Sequence, residues 1–215
     1  MAKLPAMQGG GVRWVVFDVG GVLVDEARLW RGWAGLLGMA EADFLAALRA
    51  GLAAGKGIGG TVRELAPGLD IRAERARLAA LEIPQEGDLY PDVRPAFAAL
   101  RRAGLRIGIA GNQPPGVAEA LGALGLGAAF IATSATWGVA KPDRGFFARV
   151  AEAAGAPPPR IAYVGDRLDN DVAPARAAGL RAIFLPRGLW GELHDAEEHG
   201  AERIASLTEL AERLA

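Results

Sequence analysis

Four residues carry the chemistry this chain could do: Asp18, Lys141, Asp166 and Asp171. Each lies at or shortly after the end of a short apolar run. Trp14 to Phe17 leads to Asp18 and two glycines, and Leu105 to Ala110 leads to Gly111-Asn112-Gln113. Phe130 to Thr133 leads through a loop to Lys141-Pro142-Asp143, and Ile161 to Val164 leads to Gly165-Asp166 and on to Asn170-Asp171. Three carboxylates without a nearby His or Cys form an all-oxygen donor set. Such a set suits a hard cation such as Mg2+, which usually takes one or two carboxylates plus waters and a substrate phosphate. Lys141 would neutralise a phosphate oxygen, or hold Asp18 ionised by proximity. An ionised Asp aimed at phosphorus can itself be the nucleophile. A plainer account is that Asp171 caps its helix and Lys141 pairs with Asp143; agreement among four strand ends weighs against it.

Lys141 also stands out by composition. The chain has 24 Lys and Arg, of which only Lys3, Lys56 and Lys141 are lysine. A lysine beside Pro142 and Asp143 therefore suggests a need for a compact ammonium.

These residues must be positioned by a parallel sheet. Trp14 to Phe17 is too short for a helix and suits a strand buried on both faces. From Tyr90 onward, apolar runs alternate with helical stretches that stop at Gly104, Gly155 and Gly179. Strands joined by helices of this length imply right-handed crossovers, and the carboxyl edge of such a sheet is where ligands bind. The stretch from Asp25 to about Gly87 differs, with helical spacing at Trp30, Trp33 and Leu37, then at Phe44, Leu45 and Leu48, and no convincing strand. Thr61-Val62-Arg63-Glu64 reads as a capping box and Ile71 to Ile83 as a charged amphipathic helix. The expected fold is therefore α/β: a Rossmann-like doubly wound parallel sheet (12–25 and 88–215) with a small all-helical cap at 26–87 inserted after the first strand. Residues 1–11 read as a disordered lead-in.

Composition narrows the function. With 215 residues, 51% of them hydrophobic, a substantial core is available, and a net charge of -1 gives no argument for nucleic acid or a membrane surface. The absence of Cys excludes disulfides and thiolate chemistry. Ser134 and Ser206 do not lie in a Gly-x-Ser-x-Gly turn. His194 and His199 read as solvated surface. Gly55-Lys56-Gly57-Ile58-Gly59-Gly60 has the spacing of a dinucleotide fingerprint but follows a helix, so it reads as a flexible connection. The uncharged stretch from Ala120 to Ala140 holds several glycines and hydroxyls, which argues for a turn and a buried strand rather than a membrane span. A cytoplasmic protein, monomer or homodimer, is expected.

Phe17-Asp18-Val19-Gly20-Gly21-Val22-Leu23, Gly138-Val139-Ala140-Lys141-Pro142-Asp143 and Val164-Gly165-Asp166 through Asn170-Asp171 together resemble the haloacid dehalogenase superfamily. The resemblance covers nearly the whole core, and the helical insertion is similar to the cap of that superfamily's first class. It implies Asp18 as nucleophile and Lys141 as the third-motif lysine. Mg2+ would be held by Asp18, the main-chain carbonyl of Gly20 and Asp166, with Asp171 nearby or acting through water. The substrate would be a small phosphorylated metabolite.

Two departures stand beside the matches. Family phosphatases carry a second Asp two residues after the nucleophile, to protonate the leaving oxygen; here that position is Gly20. The second motif normally offers a hydroxyl to the phosphate; here Gly111 leaves that task to backbone amides and the Asn112 side chain. Loss of a positioned acid costs about 10²–10⁴ in rate. Three functions fit this pattern. One is a Mg2+-dependent phosphohydrolase whose substrate leaves unprotonated, or whose acid comes from the flap or lid, with Asp25 and Glu26 nearest in sequence. A metal-independent 2-haloacid dehalogenase is the second, disfavoured by the retained Asp166 and Asp171. The third is a non-catalytic binding or scaffold protein. Trp30, Arg31 and Trp33 are the expected lid residues that choose the substrate.

Overall fold

The computed structural model describes residues 11–194 and 200–214; of the expected lead-in, only Gly11 falls among them, and His199 lies outside. Six strands form one parallel sheet: β1 (Trp14–Phe17), β2 (Arg106–Gly111), β3 (Phe130–Thr133), β4 (Ile161–Gly165), β5 (Arg181–Phe184) and β6 (Glu202–Arg203). Their order is β3-β2-β1-β4-β5-β6, so β1 is central and is paired with β2 on one side and β4 on the other.

The pleat of β1 shows why both faces must be covered. Val15 and Phe17 join one apolar cluster, whereas Trp14 and Val16 join another. Helices α5 (Val93–Arg102), α6 (Val117–Ala123) and α11 (Leu207–Leu214) contribute to the first cluster. The second receives Phe146, Phe147 and Val150 from α8 (Arg144–Ala154) and Ala175 from α9 (Ala173–Ala177). Alternate side chains buried on opposite faces, with no solvated face, characterise a parallel sheet with helices on both sides. Two short helices, α7 (Ser134–Trp137) and α10 (Gly188–Gly191), follow β3 and β5.

Between β1 and α5 the chain forms four helices, α1 (Ala27–Leu36), α2 (Glu41–Ala53), α3 (Gly57–Leu65) and α4 (Ile71–Glu82). They share a third cluster around Trp30, Trp33, Phe44, Leu48 and Val62, joined by Leu189 of α10. Both chain crossings into this layer are tied together. Arg28 pairs with Asp88 at 2.7 Å and donates to the Ile83 carbonyl at 2.7 Å, and the Asp25 amide donates to the Asp88 carbonyl at 2.8 Å.

The insertion departs from the expected pattern at one place. Thr61 does not open a helix: α3 begins at Gly57, and Thr61 lies inside it, buried, with its hydroxyl donating to the Gly57 carbonyl at 2.9 Å. Gly57 to Gly60 is accordingly helical and not a flexible connection. Packing decides this against propensity, because Gly51 of α2 lets the two helices approach so closely that a Cβ there would lie 1.9 Å from the Thr61 hydroxyl.

Candidate active site

Asp18 leaves the end of β1 buried, its amide donating to the Val164 carbonyl of β4 at 2.9 Å. The chain then folds into a tight flap in which the Leu23 and Val24 amides both donate to the Val19 carbonyl. Gly21 is required there twice over. Its φ is +67°, and a Cβ would lie 2.3 Å from a carboxylate oxygen of Asp166.

Past the end of β4, a single wide π-helical turn (Leu168–Val172) swings Asp171 back towards β1. Turns of this kind are rare and concentrate at functional sites. Asp171 is fully buried; its Oδ2 accepts from the Arg167 amide at 3.0 Å and its Oδ1 accepts from Lys141 Nζ at 2.6 Å. Lys141 Nζ also lies 2.8 Å from Asp18 Oδ1. One ammonium thus joins two carboxylates from different strand ends. Asp143 is not its partner, but caps α8 through the Gly145 amide. Burial opposes the charge on Lys141, yet Asp171 and Asp18 more than offset this and hold it protonated, its pKa well above the ordinary lysine value.

The Lys141 segment is fixed from β2. Asn112 Nδ2 donates to the Lys141 carbonyl at 2.9 Å, and Asn112 Oδ1 accepts from the Lys141 amide at 2.8 Å. The side chain expected to hold phosphate is therefore engaged at both ends in positioning the lysine. Gly111, just before it, faces Asp18: a Cβ there would lie 2.4 Å from Asp18 Oδ1. In this arrangement the hydroxyl absent from position 111 has no room.

Asp18, Asp166 and Asp171 can each offer a carboxylate oxygen with all three within 4.8 Å of one another. Asp18 Oδ1 is buried without an aligned hydrogen bond despite the nearby ammonium. No hydrogen bond or ion pair from the described residues reaches the Asp166 carboxylate. Burial, together with Asp171 and Asp18, raises Asp166 well above the usual carboxylate range. Three buried acids with all-oxygen donors, of which the Asp166 carboxylate is unengaged while Asp171 is already held by Lys141 and the Arg167 amide, fit a hard divalent cation.

A cleft of about 320 Å³ is lined by Val19, Gly20, Asn112 and Arg167 together with Trp30 and Trp33 of α1; Asp18 itself is not in its lining but directly precedes Val19. Arg31 is not part of it. Its side chain points outward, 61% exposed and 3.7 Å from Glu41, because the α1 face carrying Trp30 and Trp33 takes the inward positions. The insertion instead presents Arg75 of α4 and Glu26 at the start of α1 to the cleft. Burial, then Asp18 and Asp25, push Glu26 up to about 7. Arg167 also escapes the motif reading; its guanidinium stacks 3.9 Å above the Trp190 ring and pairs with Asp169 at 2.7 Å. Its only sequence signal is adjacency to Asp166.

Fold and site together define a doubly wound α/β protein with a carboxylate at the end of the central strand, a buried acid–lysine cluster and a cleft beneath inserted helices. The family model for haloacid dehalogenase-like hydrolases matches residues 12–179, and the chain belongs to that family. Phosphoserine phosphatase of Thermus thermophilus is 35% identical over 156 residues, covering 70% of this chain and 62% of that protein. Glyceraldehyde 3-phosphate phosphatase of Methanopyrus kandleri is 31% identical over 137 residues, covering 59% of this chain and 58% of that protein. The matches thus span about three-fifths of these relatives' lengths. The L-2-haloacid dehalogenase of Xanthobacter autotrophicus shares the fold, with a TM-score of 0.70 at 20% identity over 94% of this chain and 97% of that one. No described helix is long and apolar enough to cross a membrane.

Proposed function

We propose that this protein hydrolyses the phosphate ester of a small metabolite through an aspartyl-phosphate on Asp18, with Mg2+ as cofactor. The observation that carries this reading is the cluster of Asp18, Asp166 and Asp171, the first and last of them joined by a single lysine. Displacement of halide from carbon needs a carboxylate nucleophile but gives no work to Asp166 and Asp171, whereas phosphoryl transfer does. In this reading Asp18, the Gly20 carbonyl and Asp166 hold the cation, with Asp171 nearby. When bound, Mg2+ neutralises charge on the phosphate and the carboxylates.

The chain's own residues account for the rest. Asp18, 2.8 Å from the Lys141 ammonium, attacks phosphorus in line. Lys141 meets the charge on the transferring group, and it stays in place because Asn112 holds its backbone and Asp171 its ammonium. Main-chain N–H groups at Gly111 and Asn112 hold the phosphate oxygens. The helices of 26–87 act as the lid, and their closure over the cleft excludes water.

The test is phosphate release from phosphoserine, glyceraldehyde 3-phosphate and a wider panel of phosphomonoesters and acyl phosphates, with and without Mg2+, beside Asp18→Asn. Release that needs Mg2+ and disappears in Asp18→Asn is expected. Silence across the panel together with halide release from 2-haloacids would overturn the reading in favour of carbon–halogen hydrolysis.

A further inference from the structure

An alkyl phosphate gives up its phosphoryl group to Asp18 only if the departing oxygen receives a proton, and the groups already placed are poorly suited to supply one. Lys141 is pinned between two carboxylates at 2.6 and 2.8 Å, and Asp166 and Asp171 belong to the acidic cluster. Position 20, two residues beyond Asp18, has no side chain at all.

The space beside it is nevertheless filled by a carboxyl. A Cβ built on Gly20 would lie 2.9 Å from Glu26 Cδ, 2.9 Å from Oε1 and 3.2 Å from Oε2. All three terminal atoms of Glu26 thus crowd the volume that a residue at 20 would occupy. Glu26 lines the cleft, and no hydrogen bond or ion pair from the described residues reaches its carboxyl. Its backbone is firmly held, since its carbonyl accepts from the Leu29 and Trp30 amides at 2.9 and 3.1 Å as α1 begins. A fixed main chain, an unengaged carboxyl and an opening onto the cleft are what a proton donor requires. Asp25, the other acid nearby, spends Oδ1 on the Ala27 amide at 2.9 Å and is exposed.

We propose that Glu26 is the proton donor to the leaving oxygen, delivering from the inserted helix a carboxyl that Gly20 leaves room for. The proposal rests on the phosphohydrolase reading above. As the bond from Asp18 to phosphorus forms, the ester P–O bond breaks and its electron pair goes to the leaving oxygen, which takes the Glu26 proton and departs as the alcohol. A water then attacks the aspartyl-phosphate, loses its proton to the Glu26 carboxylate, and releases inorganic phosphate and free Asp18. Because the donor sits at the start of α1, substrate cleavage also depends on the insertion being in place over the sheet edge.

The test compares Glu26→Gln with the unaltered enzyme on a series of substituted phenyl phosphates of rising leaving-group pKa, ending with phosphoserine, in Mg2+. A proton donor makes the unaltered enzyme nearly indifferent to leaving group. Glu26→Gln should then slow phosphoserine cleavage about 10²- to 10⁴-fold, and the dependence of rate on leaving-group pKa should become steep. Glu26→Ala combined with Gly20→Asp, which returns a carboxyl to the same space from the other side, should regain at least about tenfold over Glu26→Ala alone, a fraction of that range. An unaltered leaving-group dependence in Glu26→Gln overturns the proposal while leaving the phosphohydrolase reading intact. An unaltered enzyme that releases no phosphate from any of these substrates overturns both.

Discussion

Replacing Lys141 by Met removes one ammonium and strands two carboxylates, and the structure sets the scale of the damage. At 2.6 Å from Asp171 and 2.8 Å from Asp18, each pair is worth about 6 kcal/mol of Coulomb attraction at an effective dielectric of about 20. Little of that is lost in full, because a stranded buried carboxylate takes up a proton instead of staying charged. What remains is the usual cost of breaking a buried pair, about 3–5 kcal/mol. For a chain of this size each kcal/mol moves the melting temperature by about 2–4 °C, so Lys141→Met should melt about 6–20 °C lower. Circular dichroism melting and urea midpoints near pH 7.5 give the measurement. Adding Asp171→Asn to Lys141→Met removes the deeper of the two stranded charges and should recover more than half of the loss. A single variant within about 1 kcal/mol of the unaltered protein, or a double variant no better than the single, would refute the view that the lysine offsets the burial of these acids.

Gly111→Ser, which restores the hydroxyl that family members carry, should harm this enzyme. With its Cβ 2.4 Å from Asp18 Oδ1, it should cost about 1–3 kcal/mol by melting and about 10²-fold in kcat as Asp18 shifts; equal or higher activity would refute it. Arg75→Ala should change the kcat/KM ratio between phosphoserine and an uncharged-tail phosphate by about 5- to 10-fold. That lies below the roughly 13-fold of the weakest charged hydrogen bond, because the Arg75 side chain is 65% exposed and already paired with Glu82 at 2.8 Å, and Arg31→Ala should leave the ratio unchanged. Asp88→Asn should cost about 1.5–3 kcal/mol near neutral pH. The Arg28 hydrogen bond lowers the Asp88 pKa in the folded protein, so this stability is present above the ordinary Asp range and lost as pH falls through the lowered value. The deficit of Asp88→Asn in urea midpoint should therefore vanish in acid, and a deficit constant with pH would count against the pairing.

The strand ends were legible in the sequence because a parallel sheet writes itself in short, wholly apolar runs, and Asp18, Lys141, Asp166 and Asp171 could be gathered on one edge from that pattern alone. What the sequence hid is set by contacts between distant segments. The glycine-rich start of α3 has poor helix propensity and becomes helical through Thr61 packing on Gly51. The strand Glu202–Arg203 is two residues long and exists only as a partner for β5. Arg31 and Arg75 look equivalent as letters, and only the packing of Trp30 and Trp33 decides which faces the cleft. Asn112 could be placed at the edge, but not its use on the Lys141 backbone, since that pairing spans the β2 and β3 ends. Glu26 was one of two acids nearby in the chain, and nothing in their order showed whose carboxyl folds against Gly20.

The joint at Arg28, Asp88 and Ile83 has a mechanical meaning. The two chain segments that lead into and out of the helical layer are clasped by the Arg28–Asp88 pair and by backbone bonds from the Asp25 and Tyr90 amides, and Arg49 of α2 also ties the layer to Glu192 at 2.9 Å. Glu26 lies two residues from Arg28, and the Arg75 guanidinium reaches back 2.8 Å to Glu82, the residue before Ile83, so both of these cleft residues are anchored at this joint. The acid beside Gly20 and the arginine at the cleft are therefore set by the joint itself and not by the helices farther along the insertion.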